Sequence, residues 1–161
     1  AAQMDRFFIC LSLGYPNEEE EMEILRNLGT RIPFETVGAV ADPQTLLDLR
    51  AEIAGVQVSE SCSRYIVELV QKTRSHPLIR QGASPRASRS LYQGGKTYAA
   101  MQGRDYVRPE DIRRLWEPVM SHRIVLTSDA RFQKKTEAEI LAEILEETEA
   151  PPRKKELFHG N

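Results

Sequence analysis

The chain is predicted to be mainly α-helical, a bundle of helices preceded by one short strand. Two observations predict the bundle. Apolar residues recur at three- and four-residue spacing in successive stretches, and those stretches open on helix-capping residues or on proline. The third concerns the strand: "RFFICLSL", Arg6–Leu13, is nearly continuous in apolar and β-forming character, as in a strand buried on both faces.

That strand comes first and has no comparable successor. A strand buried on both faces needs neighbours to satisfy its backbone, so its sheet is expected to lie outside this sequence. From "YPNEEEEMEILRNLG" onward the signals are helical. Asn17 caps, Glu20 stands three residues on as in a capping box, and Gly29 ends the segment. The glutamates Glu18–Glu21 suit the positive end of the helix dipole and are read as surface. Asp42 and Pro43 start a helix carrying Leu46, Leu49 and Ile53, which Gly55 closes; Ser59 opens another with Ile66, Leu69, Val70 and Thr73. Ser84 and Pro85 start a longer one, with Ala87, Leu91, Tyr98 and Met101 along one stripe. Pro109 opens the next, with Ile112, Leu115, Trp116, Val119 and Met120. After an extended piece, "RIVL", comes "TEAEILAEILEE", where Thr136 and Glu139 form a capping box and Ile140, Ile144 and Leu145 share a face.

Composition narrows the function classes. With 161 residues, 40% hydrophobic and 29% charged, the chain holds one core, or a small domain with an appendage. The apolar run Phe7–Leu13 is far too short to cross a bilayer and no secretory signal is present, so a cytoplasmic address without membrane insertion is expected. A net charge of −2 gives no global reason to expect nucleic-acid binding, and "RKK" at Arg153–Lys155 reads as a solvated tail. Cys10 and Cys62 are expected to be buried free thiols, and His76, His122 and His159 are too scattered for a metal or catalytic cluster.

Two features of the Ser84 stretch bear on chemistry. In "GASPRASRS" an arginine, Arg86, occupies the first helical turn, where the exposed N–H groups and the dipole already make the end positive. It costs about 0.3–1 kcal/mol there unless an anion, whether a carboxylate or a bound ligand, offsets it. The other is a decoy. "GGKT", Gly94–Thr97, resembles the end of a phosphate-binding P-loop, but the first glycine of that pattern would fall on Ser90 and the stretch lies inside a helical pattern. Paired glycines there mark close helix–helix approach.

Three stretches together resemble the MoxR type of AAA+ ATPase. "AAQMDRFFICLSLGYPNEEEEMEIL" is similar to that family's "PEAQLDRF" segment with the strand and acidic helix that follow. "VSESCSRYIVELVQKTRSHPLIRQGASPRA" resembles the start of its helical lid, and "GRDYVRPEDIRRLWEPVMSHRI" its "GRDYVTPEDV…VLRHRL". The resemblance implies a helical AAA+ lid bundle with a leftover N-terminal strand from a truncated α/β core. Residues 1–16 would be the core remnant, 17–126 the lid, and 127–161 a linker, a C-terminal helix and a flexible tail.

The resemblance also implies roles. Arg86 corresponds to the sensor 2 arginine, which reaches the phosphates of ATP at the junction of core and lid. Arg6 corresponds to the arginine finger, carried in trans toward ATP bound by the neighbouring subunit; an ion pair with Asp5 or Glu18 is its structural alternative. Arg80 and Arg89 are second-rank site candidates, and His122 is a packing or hinge residue. For a complete protein the resemblance implies Mg²⁺-ATP hydrolysis in a homo-oligomeric ring, chaperone-like maturation of protein complexes, and partners with von Willebrand factor A domains. No counterpart of Walker A, Walker B or sensor 1 is present, so this chain alone is expected neither to hold nucleotide and metal nor to hydrolyse ATP. Arg108 stands where the family commonly has a capping threonine, which predicts a weaker helix start by about 1 kcal/mol. The competing class is a helical interaction or DNA-binding module, suggested by Arg113 and Arg114.

Overall fold

In the computed structural model, which describes residues 3–27 and 37–152, helices begin where a side chain supplies the acceptor that the first turn lacks. At α1 (Glu18–Arg26) the Asn17 side chain accepts the Glu20 amide and the Glu20 carboxylate accepts the Asn17 amide, both at 2.9 Å. Asp42 accepts the Thr45 amide at 2.7 Å at the start of α2 (Pro43–Gly55). Ser59 caps α3 (Glu60–Ser75), Ser84 caps α4 (Pro85–Met101), Thr127 caps α6 (Ser128–Phe132) and Thr136 caps α7 (Glu137–Glu146).

The start of α5 (Pro109–Met120) is built differently. Arg108 has no acceptor to offer, and the Asp111 carboxylate works from inside the helix instead. It accepts the Arg108 amide at 2.8 Å and takes the Arg104 guanidinium through two bonds of 2.8 and 2.6 Å. The weakness expected from Arg108 is therefore offset by a largely buried ion pair, its side chains 15% and 5% exposed.

Two short strands, β1 (Ile79–Gln81) and β2 (Val125–Leu126), pair antiparallel, with Ile79 opposite Leu126. Single turns of 3-10 helix occur at Met4–Arg6 and Ser121–Arg123. The mainly helical fold is as the sequence predicts. The chain divides into two compact units, one of residues 11–51 and one made of residues 1–10 with 52–161.

The larger unit holds the core. Tyr65, Ile66, Leu69 and Val70 of α3, Leu91 of α4, Ile112, Trp116, Val119 and Met120 of α5, and Ile140, Leu141 and Ile144 of α7 are buried together. Helix α7 packs back, and the indole N–H of Trp116 donates to its Leu141 carbonyl at 2.8 Å. Close approach of α4 to α5 explains the paired glycines: a Cβ on Gly95 would lie 2.8 Å from Ile112 Cδ1, and one on Gly94 would lie 3.1 Å from Leu115 Cδ1. Those glycines also shift the buried stripe of α4 to Ala87, Ser90, Leu91, Gly94, Gly95 and Ala99, leaving Met101 exposed.

Other expectations are corrected. Phe7–Leu13 forms no strand; among the described residues no strand pairs with it, and its backbone turns to α5 and to side chains instead. The Cys10 amide donates to the Pro118 carbonyl at 2.9 Å, and Cys10 itself is exposed, not buried. Leu46, Leu47 and Leu49 of α2 are exposed, so its apolar residues do not join the helical core as expected. Gly29, expected to end the first helix, lies outside the described residues, as do Arg153–Lys155 and His159.

Candidate functional site

Five residues before the start of α4, Arg80 sits on β1; two residues after Ser84, Arg86 sits in the first turn of α4. The Ser84 hydroxyl accepts the Arg86 amide at 3.2 Å and donates to Asp5 Oδ2 at 2.9 Å. Asp5 Oδ1 in turn accepts from Arg123 Nε at 3.2 Å. One carboxylate thus joins the Met4–Arg6 turn to the start of α4 and to the turn that follows α5.

Arg123 is the hub of this arrangement. Its side chain is 1% exposed. Nη2 donates to the Phe7 carbonyl at 2.6 Å and the Ser90 hydroxyl at 3.2 Å, while Nη1 donates to the Phe8 carbonyl at 3.1 Å and to the Val119 carbonyl. With the bond to Asp5, five acceptors meet the five N–H donors of the guanidinium. Burial pulls its pKa below the ordinary arginine value, the Asp5 charge and hydrogen bond push it back up, and the nearby Arg86 charge pulls it down. His122 Nε2 lies 3.1 Å from the Phe7 carbonyl, which can only accept, so Nε2 carries a proton there; Nδ1 is buried without a partner. A cleft of about 460 Å³ opens among Asp5, Gln81, Gly82, Ser84, His122 and Arg123.

Two of the candidate arginines, Arg6 and Arg86, lie on segments that meet at this hub. Arg86 is exposed, and its guanidinium has no hydrogen bond or ion pair among the described residues. Asp5, the carboxylate beside it on the hub, is engaged by Ser84 and Arg123, so the carboxylate alternative for Arg86 is not formed there. Arg6 follows Asp5 in the 3-10 turn, is exposed, and is likewise without a side-chain partner among the described residues. Arg80 and Arg89 are also exposed. The structure therefore links the segments carrying Arg6 and Arg86 through Asp5 and Ser84. Sequence reasoning missed Arg123 and named Asp5 only as a possible partner of Arg6, whereas Asp5 is engaged by Ser84 and Arg123; the available signal was an arginine standing between apolar Met120 and Ile124, a place where a cation is buried only if fully paired.

Other motifs resolve without chemistry. Lys96 of "GGKT" lies inside α4 and gives its ammonium to the Ala54 carbonyl at 2.6 Å, at the end of α2, a placement that suits the negative end of that helix. Arg113 points its guanidinium at the Leu145 carbonyl, 3.4 Å away, near the end of α7. Cys62 is buried; burial, with Asp111 and Glu110 acting the same way, pushes its thiol up to about 11. A second cavity of about 840 Å³ is the open flank of α1, between Glu18 and Asn27. Among the described residues no three His, Cys, Asp or Glu side chains gather as a metal site, and no helix is long and apolar enough to cross a membrane.

The family described as the AAA lid domain matches residues 71–144. The chain is 37% identical over 150 residues to the uncharacterized protein YeaC of Bacillus subtilis (strain 168), covering 93% of this chain and 47% of that protein. It is 35% identical over 138 residues to the chaperone MoxR1 of Mycobacterium tuberculosis, covering 80% of this chain and 36% of the relative. A crystal structure of a putative ATPase from Cytophaga hutchinsonii superposes with a TM-score of 0.83 at 32% identity, over 94% of this chain and 48% of that one. The chain thus spans about half the length, or less, of the relatives it matches.

Proposed function

The chain belongs to the MoxR family of AAA+ proteins and carries its lid region, and on that premise we propose that it closes over ATP and supplies two arginines to its hydrolysis. Arg86 acts in cis as the sensor of nucleotide phosphate. Arg6 acts in trans as the arginine finger of a neighbouring subunit in a homo-oligomeric ring.

The observation that carries this reading is the unpaired guanidinium of Arg86 at the positive end of α4. A cation placed against a helix dipole, with no carboxylate answering it, makes a field that favours an anion; the nearby Arg123 charge is already answered by Asp5. The donor set fits a phosphate: Arg86 would bind and orient it, and the first-turn amides would add to the field. Bound ATP supplies the bond that is broken. Mg²⁺ has no comparable set of donors among the described residues and would be held by other parts of the protein. Chaperone-like maturation of protein complexes, in the cytoplasm and with von Willebrand factor A domain partners, is the setting the reading implies, and it calls for no nucleic acid.

The test joins this chain to the nucleotide-binding half of a MoxR-type relative. Arg86→Ala should impair ATP hydrolysis while the fold keeps its stability, because removing a cation from a helix start does not itself destabilise. Arg6→Ala should leave ATP binding near normal and abolish ring-dependent hydrolysis, and mixing it with a subunit defective in its own ATP site should restore some activity. Normal hydrolysis by Arg86→Ala with a lowered melting temperature would make Arg86 a structural residue and overturn the reading. Steeply salt-dependent binding of the chain to duplex DNA would favour the competing class.

A further inference from the structure

We propose that Asp5, Ser84 and Arg123 form a mechanical joint between the turn that carries Arg6 and the helix that carries Arg86, so that displacement of one arginine is transmitted to the other. The significance of the joint rests on the roles given to those arginines above. Its existence rests on geometry alone.

Asp5 immediately precedes Arg6, and Ser84 stands two residues before Arg86. The Asp5 carboxylate has one oxygen on each side of the joint: Oδ2 receives the Ser84 hydroxyl and Oδ1 receives Arg123. Ser84 has a double task, since the same oxygen that grips Asp5 accepts the Arg86 amide. Arg123 fixes the other side. It is buried, touches Ser90 farther along α4, and holds the Phe7 and Phe8 carbonyls just beyond Arg6.

The turn is therefore bound to α4 at two points, directly through Ser84 and by way of Arg123 through Ser90. Two points of attachment fix orientation as well as position. A shift of the α4 start when Arg86 engages an anion pulls on Asp5, and Arg6 is the next residue. In a ring this would make the finger offered to one site depend on occupancy at another. Asp5 and Arg123 are positioning residues in this scheme, for neither bears the charge that meets phosphate.

The experiment uses this chain without nucleotide. Amide hydrogen exchange and arginine Nε resonances are followed by NMR in the parent chain and in Asp5→Ala, Ser84→Asp and Ser84→Thr. Asp5→Ala should speed exchange by about threefold or more at the Phe7 amide and also at Arg86 and Ala87. It should shift the Arg86 Nε signal although residue 5 makes no contact with that guanidinium, and leave α7 unchanged. Ser84→Asp keeps a helix cap but sets carboxylate against carboxylate, so it should free the Phe7 amide while the first turn of α4 stays protected. Ser84→Thr retains the hydroxyl and should restore the parent pattern.

An Asp5→Ala effect confined to residues 4–7, or spread equally into α7, would overturn the joint. If that variant does not fold, Ser84→Asp decides, and unchanged Phe7 exchange there overturns the proposal. Because no nucleotide is present, failure here leaves the ATP reading standing. Conversely, failure of Arg86→Ala to impair hydrolysis leaves the joint standing.

Discussion

The indole N–H of Trp116 donates to the main-chain carbonyl of Leu141 at 2.8 Å, across the buried contact between α5 and α7. The bond uses the single polar atom of a 1% exposed side chain, and it orients a helix that buries Ile140, Leu141 and Ile144 and packs Leu145 beside them. Trp116→Phe removes the donor and leaves unfilled volume, and should destabilise the chain by about 2 kcal/mol. Urea unfolding measures it, with Phe132→Ala as the control. Phe132 is 90% exposed, and its loss should change stability by no more than about 0.5 kcal/mol.

Two glycine substitutions should separate cleanly. A Cβ on Gly82 would stand 2.6 Å from the Thr73 carbonyl oxygen and 2.7 Å from Arg74 Cα, backbone atoms with no room to yield. Gly82→Ala should therefore cost about 1–3 kcal/mol. On Gly95 the nearest atom, at 2.8 Å, is the terminal methyl of Ile112, which can rotate, and alanine recovers about 1 kcal/mol of helix propensity. Gly95→Ala should come out near neutral. Equal unfolding midpoints for the two variants would contradict this account.

The two thiols should differ in kind. Cys10 is exposed, whereas Cys62 is buried with its pKa pushed up to about 11, so at pH 8 only about one Cys62 in a thousand is thiolate. Iodoacetamide under native conditions should label Cys10 alone, with Cys62 following only in denaturant. Peptide mass mapping reads the result directly.

Acid should loosen α7 from its first turn. Glu139 accepts the Thr136 amide at 2.8 Å and the Thr136 hydroxyl at 3.0 Å, and these bonds hold its carboxyl below the ordinary value of 4.5. A pKa depressed in the folded state means stability present above the unfolded value and lost as pH falls through the folded one. Protection of the Thr136 amide, whose acceptor is that carboxylate, should fall as the pH drops through the lowered value. Glu139→Gln should flatten that dependence.

Most helix starts were legible because capping is local: Asn17 with Glu20, and Thr136 with Glu139, are written within four residues of each other. The glycine pair was legible for the same reason, since a helix pattern interrupted by two missing side chains allows few meanings. The apolar pattern of α2 was legible as a helix, but not that its leucines stay exposed. Strand β1 is three residues long and its partner lies beyond α5, too little pattern for a period to emerge. Asp5 with Arg123 was least legible, a pairing across 118 residues whose members look like ordinary surface charges until the fold buries one of them.

Phe7 is held in a way that ignores what residue it is. Its carbonyl oxygen receives Arg123 Nη2 and faces His122 Nε2, two donors for two lone pairs, while the residue as a whole stands 61% exposed. Every residue offers the same carbonyl, so the grip would survive nearly any letter at this position. The aromatic ring is thus uncommitted to anchoring, and this position can change character under selection without loosening the strap it belongs to.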